Sequence, residues 1–211
     1  ASHPLSIEFT QNEWVRTDAK PSQMGVDGNK PRTVALWAYV ENGQKNEASL
    51  YGFGTKACAG GTNNMWALRS FWDGNYRKLR AQHWCWDPEI FFATGFRDRW
   101  SHICHIYTGT HVQIYVDGTQ LYNWSRTQIS TGDAQAISLG EWRWETNVNR
   151  TFKGKLDDFR VYNVALSADD IAKIYNNGAG EDMSSVSITS ALTVNANLNQ
   201  AFSYTITTDD P

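Results

Sequence analysis

The sequence has few cysteines, no concentrated positive charge and no long apolar run. Its three cysteines, Cys58, Cys85 and Cys104, match no zinc-binding spacing, so a thiolate metal cluster is not expected. The formal net charge is −3 without a basic run, which argues against nucleic acid, because phosphates demand clustered lysine and arginine. No apolar stretch approaches the roughly 20 residues that a membrane-spanning helix needs. These absences predict a soluble protein without a membrane span.

The aromatic side chains, in contrast, are abundant. The 211 residues include 10 Trp, 9 Tyr and 9 Phe, hydrophobic residues make up 41%, and charged residues make up 19%. Such a chain can bury a core. Aromatic residues favour half-buried pleated surfaces, and tryptophan also stacks on sugar rings and cations. Most of these rings are expected to fill a core, and the others are candidates for ligand contact.

Strand signals separated by turn clusters recur about every ten residues, which is typical of an all-β sandwich. The predicted strands are 5–9, 32–41, 48–55, 64–71, 77–84, 100–107, 111–117, 119–124, 136–142 and 154–163. The clearest hairpin has Asp-Gly at 117–118, where a type I′ turn needs positive φ at both positions. That turn predicts Ile114 opposite Leu121 on the core face, with Tyr115 and Tyr122 on the other face.

One helix is predicted near the end of this region. Ser167 is a good N-cap, and Asp170 three residues later completes a capping-box pattern. Ile171 and Ile174 follow at helical spacing, and Gly178 is expected to end the helix. The helix therefore has one apolar stripe, which we expect to dock on the sandwich.

Five segments in a fixed order resemble a known family. They are Trp100-Ser101-His102, the hairpin 113–118, Ser138-Leu139-Gly140, Phe152 to Tyr162, and Ala165 to Ile171. Together they resemble the bacterial form of the laminin G-like, concanavalin A-like lectin/glucanase superfamily, over about residues 1–178. The resemblance implies an all-β, concanavalin A-like jelly-roll sandwich of two antiparallel sheets with one short C-terminal helix.

The domain is expected to span residues 1–180, followed by a linker at 181–185. Residues 186–211 contain two further strand patterns, which cannot bury a core by themselves. They resemble the opening of bacterial Ig-like modules, and the alternative is that they pack on the main domain. This pattern suggests a piece of a longer multidomain chain, with any export signal removed or outside this sequence.

No enzyme motif emerges from the acids and histidines, so we expect no catalysis. Glycosidases on this fold carry three closely spaced acids in the manner of E-x-D-x-x-E, and no such triplet occurs. Glu141 and Glu145 are a poor copy of it. Asp157 and Asp158 are adjacent, so on a regular strand they would point to opposite faces.

The resemblance also implies a structural Ca²⁺, a cation that takes carboxylate and carbonyl oxygens. Asp157 is the candidate ligand and Asp158 the alternate. The alternative is that one acid faces solvent and the other pairs with an arginine such as Arg160. Separately, Cys58 and Cys85 could form a disulfide, which would suit an exported protein, or all three thiols could be free.

Three aromatic groups are candidates for sugar binding, which needs a flat apolar face with polar groups at its edge. Trp142 and Trp144 share one face of a predicted strand, with Arg143 between them. Trp84 and Trp86 are likewise expected to alternate on one face. The third group is Trp72 and Tyr76, which flank the predicted turn 73–75.

These observations predict a non-catalytic carbohydrate-binding module of a secreted or cell-surface multidomain protein. Its partners would be a glycan or glycoprotein ligand and covalently linked neighbouring domains. The main alternative is a structural or adhesion module that binds protein partners or spaces domains. A third hypothesis is a polysaccharide hydrolase or lyase, and the absence of the acid triplet argues against it.

Overall fold

The alternating apolar segments form two antiparallel sheets in the computed structural model. The structure describes residues 6–10, 12–43, 47–57, 64–71, 78–84, 86–91, 96–144 and 150–176. The strands are β1 (Ile7–Phe9), β2 (Val15–Arg16), β3 (Arg32–Val40), β4 (Ser49–Gly54), β5 (Met65–Phe71), β6 (Lys78–Gln82), β7 (Glu89–Phe91), β8 (Trp100–Tyr107), β9 (His111–Val116), β10 (Thr119–Ser125), β11 (Gln135–Leu139) and β12 (Gly154–Tyr162). One helix, α1 (Ala168–Tyr175), follows them.

Each sheet contains six of these strands. The first sheet has the order β1-β12-β3-β8-β9-β10, and the second has the order β2-β11-β4-β5-β6-β7. Neighbouring strands within both sheets pair antiparallel. The predicted all-β jelly-roll sandwich with one short C-terminal helix is confirmed.

The core lies between the sheets because alternate residues of each strand point inward. Leu36 and Ile103 of the first sheet and Phe53, Trp66 and Leu68 of the second are among its fully buried members. By the same alternation, residues such as Gly52, Ala67 and Arg69 point away from the core, on the outer face of the second sheet.

A hydrogen-bonded line of polar groups crosses this core from one sheet to the other. The Tyr51 hydroxyl lies 2.8 Å from His105 Nδ1, and the Nε2 atoms of His105 and His83 are 3.1 Å apart. His83 Nδ1 lies 3.0 Å from the carbonyl oxygen of Trp86, which can only accept. His83 Nδ1 therefore carries a hydrogen, His105 Nε2 donates to His83, and the Tyr51 hydroxyl donates to His105.

Burial keeps both imidazoles of this line neutral. It lowers the pKa of His83 to about 3 and the pKa of His105 well below its usual range. The Trp66 ring stacks on His105 at a centroid distance of 3.8 Å, which excludes water from the pair. The line therefore joins the two sheets through uncharged hydrogen bonds.

Helix α1 covers part of the outer face of the first sheet. Ser167 and Asp170 form the predicted capping box, and Asn176, in a left-handed conformation, ends the helix before Gly178, which is outside the described residues. The buried Ile171 and Ile174 pack against a group formed by Ala35, Cys104, Ile106 and Tyr115. Cys104 is a free, buried thiol, and burial raises its pKa to about 12.

The predicted pairing in the hairpin was wrong by one residue. The turn itself is as expected, with φ of 49° at Asp117 and 76° at Gly118. A bulge between Gln120 and Tyr122 then places Tyr122, rather than Leu121, opposite Ile114. Tyr122 packs on the core and Leu121 is 38% exposed, the reverse of the prediction. The short strands β2 and β7 were also missed, because two or three residues carry too little alternation.

Candidate functional site

Three tryptophans gather on the outer face of the second sheet. Trp84, Trp142 and Trp144 pack with Met65 and Ala67, which point away from the core. The ring centroids of Trp142 and Trp144 are 5.0 Å apart, and those of Trp84 and Trp142 are 6.5 Å apart. We call these three residues the tryptophan patch. As predicted, Trp142 and Trp144 lie on the same side of the sheet, although β11 ends before them at Leu139.

The three rings of the patch have different roles. Trp142 is only 3% exposed and lies between the other two, so it supports them rather than offering a stacking surface. Trp84 and Trp144 are half-buried. Gly52 makes room for Trp144, since a Cβ built at Gly52 would lie 2.8 Å from two atoms of that ring. The absence of a side chain at Gly52 therefore sets the position of Trp144.

Cationic side chains lie over two rings of the patch. Arg69 Cζ is 4.1 Å from the ring centroid of Trp142, and Lys56 Nζ is 4.4 Å from that of Trp84. Such cation–π contacts fix the rings and leave positive charge beside them. The predicted edge residue Arg143 is half-buried, and its Nη1 has no hydrogen-bond partner among the described residues.

An arginine network adjoins the patch. Glu47 Oε2 lies 2.8 Å from Arg69 Nη2 and 3.1 Å from Arg150 Nη2, and Glu47 Oε1 lies 3.7 Å from Arg80 Nη1. Three arginines thus share one carboxylate. Burial lowers the pKa of Arg69 to about 10, so its guanidinium stays charged at neutral pH. With Glu89 and Lys78, which contact it through Arg80, the network joins four cationic and two anionic side chains in the ion pairs of the described residues.

The other two described glutamates on this face are also in ion pairs. Glu89 contacts Arg80 at 2.8 Å and Lys78 at 2.9 Å, and the hydrogen bond from Arg80 chiefly lowers its pKa. Glu141 pairs with Arg16 through two hydrogen bonds of 2.7 and 2.8 Å. A general acid needs a raised pKa, and Glu89 has the opposite environment.

Trp86 does not share a face with Trp84, so that expectation was wrong. Strand β6 ends at Gln82, and Trp84 adopts φ of 82° where the Asp87 carboxylate accepts hydrogen bonds from the backbone nitrogens of His83 and Trp84. This turn sends Trp86 to the core side, where it stacks on His83 and meets Trp124 edge-on at 5.6 Å. Trp86 closes the edge of the sandwich.

The candidate calcium ligands Asp157 and Asp158 lie where β12 departs from regular strand pairing. Strand β12 bulges between Asp157 and Arg160, with Asp158 at φ of 48°. Arg160 Nε donates to Asp158 at 2.6 Å, which is the alternative pairing considered from the sequence. No group of three or more His, Cys, Asp or Glu residues able to hold a metal occurs in the described ranges. Calcium at Asp157 stays a prediction.

Several predicted residues lie outside the described residues. They are Trp72, Tyr76, Glu145, the candidate disulfide pair Cys58 and Cys85, and residues 177–211 with the linker and the Ig-like resemblance. These predictions stay untested. Within the described ranges, no helix is long and apolar enough to cross a membrane.

A cleft on the outer face of the first sheet was not predicted at all. Its volume is about 440 Å³, and it is lined by Tyr39, Glu41, Asn42, Asp98, Trp100 and Lys155. Tyr39 lies near the end of β3 and Trp100 is the first residue of β8, and the two residues are paired across these strands. One pattern in the sequence could have indicated the cleft. An aromatic residue lies near the end of one predicted strand and another at the start of a second, and each is two residues from an acid, Glu41 or Asp98.

The comparisons with known proteins agree with this architecture. The family model described as the concanavalin A-like lectin/glucanases superfamily matches residues 9–172. No curated protein matches the chain.

Three solved structures illustrate the likeness in fold. The native heptameric SAP-like pentraxin of Limulus polyphemus has 12% identity and a TM-score of 0.62, with 81% of each chain covered. The Ruminococcus gnavus IT-sialidase CBM40 bound to α2,3-sialyllactose has 13% identity and a TM-score of 0.60, covering 79% of this chain and 94% of that one. Domain 4 of AbnA, an extracellular arabinanase from Geobacillus stearothermophilus, in complex with arabinotriose, has 21% identity and a TM-score of 0.54, covering 79% and 74%.

Proposed function

Because the chain belongs to the concanavalin A-like lectin/glucanases superfamily, we propose that it is a non-catalytic glycan-binding module of a secreted or cell-surface multidomain protein. The tryptophan patch carries the proposal. Trp84 and Trp144 offer half-buried rings on a sheet face that α1 does not cover, with arginine and glutamate side chains beside them. Flat apolar rings with polar groups at their edge suit sugar rings.

The charges of the patch favour an acidic glycan over a neutral one. Arg69, Arg80 and Arg150 all contact Glu47, Arg80 also contacts Glu89, and Lys56 adds a further cation at Trp84. A ligand carboxylate or sulfate could share these donors in charge-assisted hydrogen bonds. The R. gnavus CBM40 was solved with sialyllactose, a sugar that carries such a carboxylate.

The acids of this face support a role without catalysis. A retaining or inverting glycosidase needs two carboxyl groups flanking the bond, one of them with a raised pKa. Here the carboxylates of Glu47, Glu89 and Glu141 are each neutralised by arginine at 3.7 Å or less. The hydrogen bond from Arg80 also lowers the pKa of Glu89, the opposite of what a general acid needs.

A glycan array followed by calorimetry tests the proposal. We expect saturable binding to glycans that carry carboxylate or sulfate groups, with weaker binding to their neutral counterparts. Trp144→Ala should weaken that binding by about five- to tenfold, because an aromatic contact contributes about 1–1.5 kcal/mol. The matched control is Trp100→Ala, which removes a tryptophan from the opposite outer face and should leave acidic-glycan binding unchanged.

Two outcomes would contradict the proposal. If no glycan binds saturably with or without Ca²⁺, the structural or adhesion role becomes the better explanation. If incubation with a bound polysaccharide releases new reducing ends, the module is an enzyme.

A further inference from the structure

The cleft on the outer face of the first sheet combines two aromatic rings with a polar rim. Tyr39 and Trp100 are cross-strand partners, and their ring centroids lie 5.7 Å apart at an interplanar angle of 61°. The helix does not cover them, since Ile171 and Ile174 pack at Ala35 and Ile106, toward the other end of β3 and β8. Two inclined rings therefore form an apolar corner at the open end of this sheet.

Hydrogen bonds between two turns fix the rim of the cleft. Asp98 Oδ1 accepts from the backbone nitrogen of Asn42 at 2.8 Å, and the backbone nitrogen of Asp98 donates to the carbonyl oxygen of Val40 at 2.9 Å. Arg97 Nη1 donates to the carbonyl oxygen of Glu41 at 2.8 Å. Asp98 holds a left-handed conformation with φ of 54°. Polar groups held in this way lose little freedom when a ligand binds.

The charges around the cleft balance, unlike those at the tryptophan patch. Glu41 pairs with Lys153 at 3.0 Å, and Lys155 pairs with Glu8 at 3.7 Å. Two charged groups at the rim, Glu41 and Lys155, thus already have opposite partners, and the Asp98 carboxylate accepts the hydrogen bond from Asn42. A charged ligand would have to displace one of these pairs, whereas a neutral ligand would not.

We propose that this cleft is a second glycan-binding site, selective for a neutral sugar. Its volume of about 440 Å³ falls within the range of small-ligand sites. Tyr39 and Trp100 contact the apolar face of the ring, the carboxylates of Glu41 and Asp98 accept hydrogen bonds from hydroxyls, and Asn42 and Lys155 donate to them. The domain then binds glycans on both outer faces, and this second site does not depend on the tryptophan patch.

Amide NMR on the whole chain tests the second site, because it reports each face separately. The probes are the neutral disaccharides lactose, cellobiose, maltose and xylobiose, each titrated at millimolar concentration. We expect at least one of them to shift the amide signals of Asn42, Asp98 and Lys155 saturably. No saturable shift at these amides with any of the four would overturn the proposal.

Two variants locate the binding. Trp100→Ala should weaken the affinity read from these amides by about tenfold, the loss expected for one aromatic contact, whereas Trp144→Ala should leave it unchanged. Asn42→Ala alters an exposed side chain, cannot unfold the core, and should weaken the same binding a few-fold by removing one donor. Equal affinity in the wild-type chain and both cleft variants would refute the site.

The same titration separates this inference from the proposed function. Shifts confined to residues around the tryptophan patch refute the second site and leave the proposed function in place. Neutral disaccharides that shift only the cleft support the second site, and a parallel titration with an acidic glycan such as sialyllactose that shifts no residue around the tryptophan patch would refute the assignment of binding to the patch.

Discussion

On the outer face of the first sheet, aromatic rings pack beneath a helix, whereas on the outer face of the second sheet they pack among arginines. Trp37, His102 and Tyr175 lie with ring centroids 5.1–5.9 Å apart, and Tyr175 belongs to α1 itself. In the tryptophan patch, in contrast, cations lie over Trp84 and Trp142, and one of them, Arg69, pairs with a glutamate. The rings beneath the helix thus stabilise the fold, whereas the half-buried rings of Trp84 and Trp144 remain accessible to a ligand.

The difference shows that the environment of a tryptophan, rather than its presence, decides its role. Covering an aromatic ring with an apolar helix contributes to folding stability through buried area. Placing a ring beside charged groups leaves one edge hydrated and able to meet a polar ligand. Variants that change one outer face and leave the other intact test this difference between the two faces.

The largest expected effect is a loss of folding stability in acid, which affects both outer faces of the sandwich together. The unfolded chain's histidines titrate near pH 6.5, whereas the folded pKa of His83 is about 3 and that of His105 is well below its usual range, both because of burial. Stability should be complete above about pH 6.5 and fall progressively as the pH decreases toward about 3, because the unfolded state binds protons first. Urea unfolding at a series of pH values measures the decline.

A control separates the histidines from the carboxyl groups, which titrate mostly below about pH 4.5. His83→Gln removes one titrating ring, so its stability should depend less steeply on pH between about 6.5 and 4.5. An unfolding free energy of the wild-type chain that stays constant through that window would contradict the buried, neutral pair.

Weakening the helix-covered face should reduce stability without affecting the patch. Ile171→Ala leaves a cavity beneath α1 and should lower the free energy of unfolding by about 2–5 kcal/mol. Chemical denaturation measures this, and Lys173→Ala, an exposed change on the same helix, is the control. Binding of the acidic glycan at the patch should stay within about twofold; a parallel loss of binding would show that the two faces are coupled.

Changing the outer face of the second sheet should weaken glycan binding at the tryptophan patch. Gly52→Ala places a Cβ where it meets the Trp144 ring and should displace that ring, which weakens glycan binding by about tenfold. Calorimetry measures the affinity. The double variant Gly52→Ala/Trp144→Ala should bind no more weakly than Trp144→Ala alone, because both changes act through the same ring. Additive losses would mean that Gly52 acts by another route.

The smallest expected effect concerns Ca²⁺. If Asp157 holds the ion as the sequence predicts, Ca²⁺ should raise the melting temperature and a chelator should reverse the rise. Asp157→Asn should abolish the rise, whereas Asp169→Asn, at an exposed acid of α1, should preserve it. A melting curve that Ca²⁺ leaves unchanged in the wild-type chain would count against the site.

Regular strands and caps were predictable from the sequence because their signals are local. Strand β8 was predicted with both of its ends, and the Ser167–Asp170 capping box formed as expected. The hairpin turn was predicted for the same reason, but its register was not, since the bulge before Tyr122 depends on packing against the core.

The candidate site was predicted less completely, because its parts are distant in sequence. The shared side of Trp142 and Trp144 was predicted from strand alternation, although both residues lie beyond the end of β11, whereas Trp84 and Trp86 are separated by a turn that the Asp87 side chain stabilises. The arginine network joins Glu47 to Arg150 across the fold, and no short motif records such a contact. The cleft at Tyr39 and Trp100 needed the pairing of β3 with β8.

That pairing also determines when the domain can assemble. Strand β3 is flanked by β8 on one side and by β12 on the other, and β12 also provides the only described partner of β1. The first sheet is therefore incomplete until Tyr162 at the end of β12 is available. Contacts between such distant segments slow folding, since a long loop must close before they form. We expect this domain to remain incomplete until β12 has emerged from the ribosome, with its aromatic segments exposed to chaperones or to one another until then.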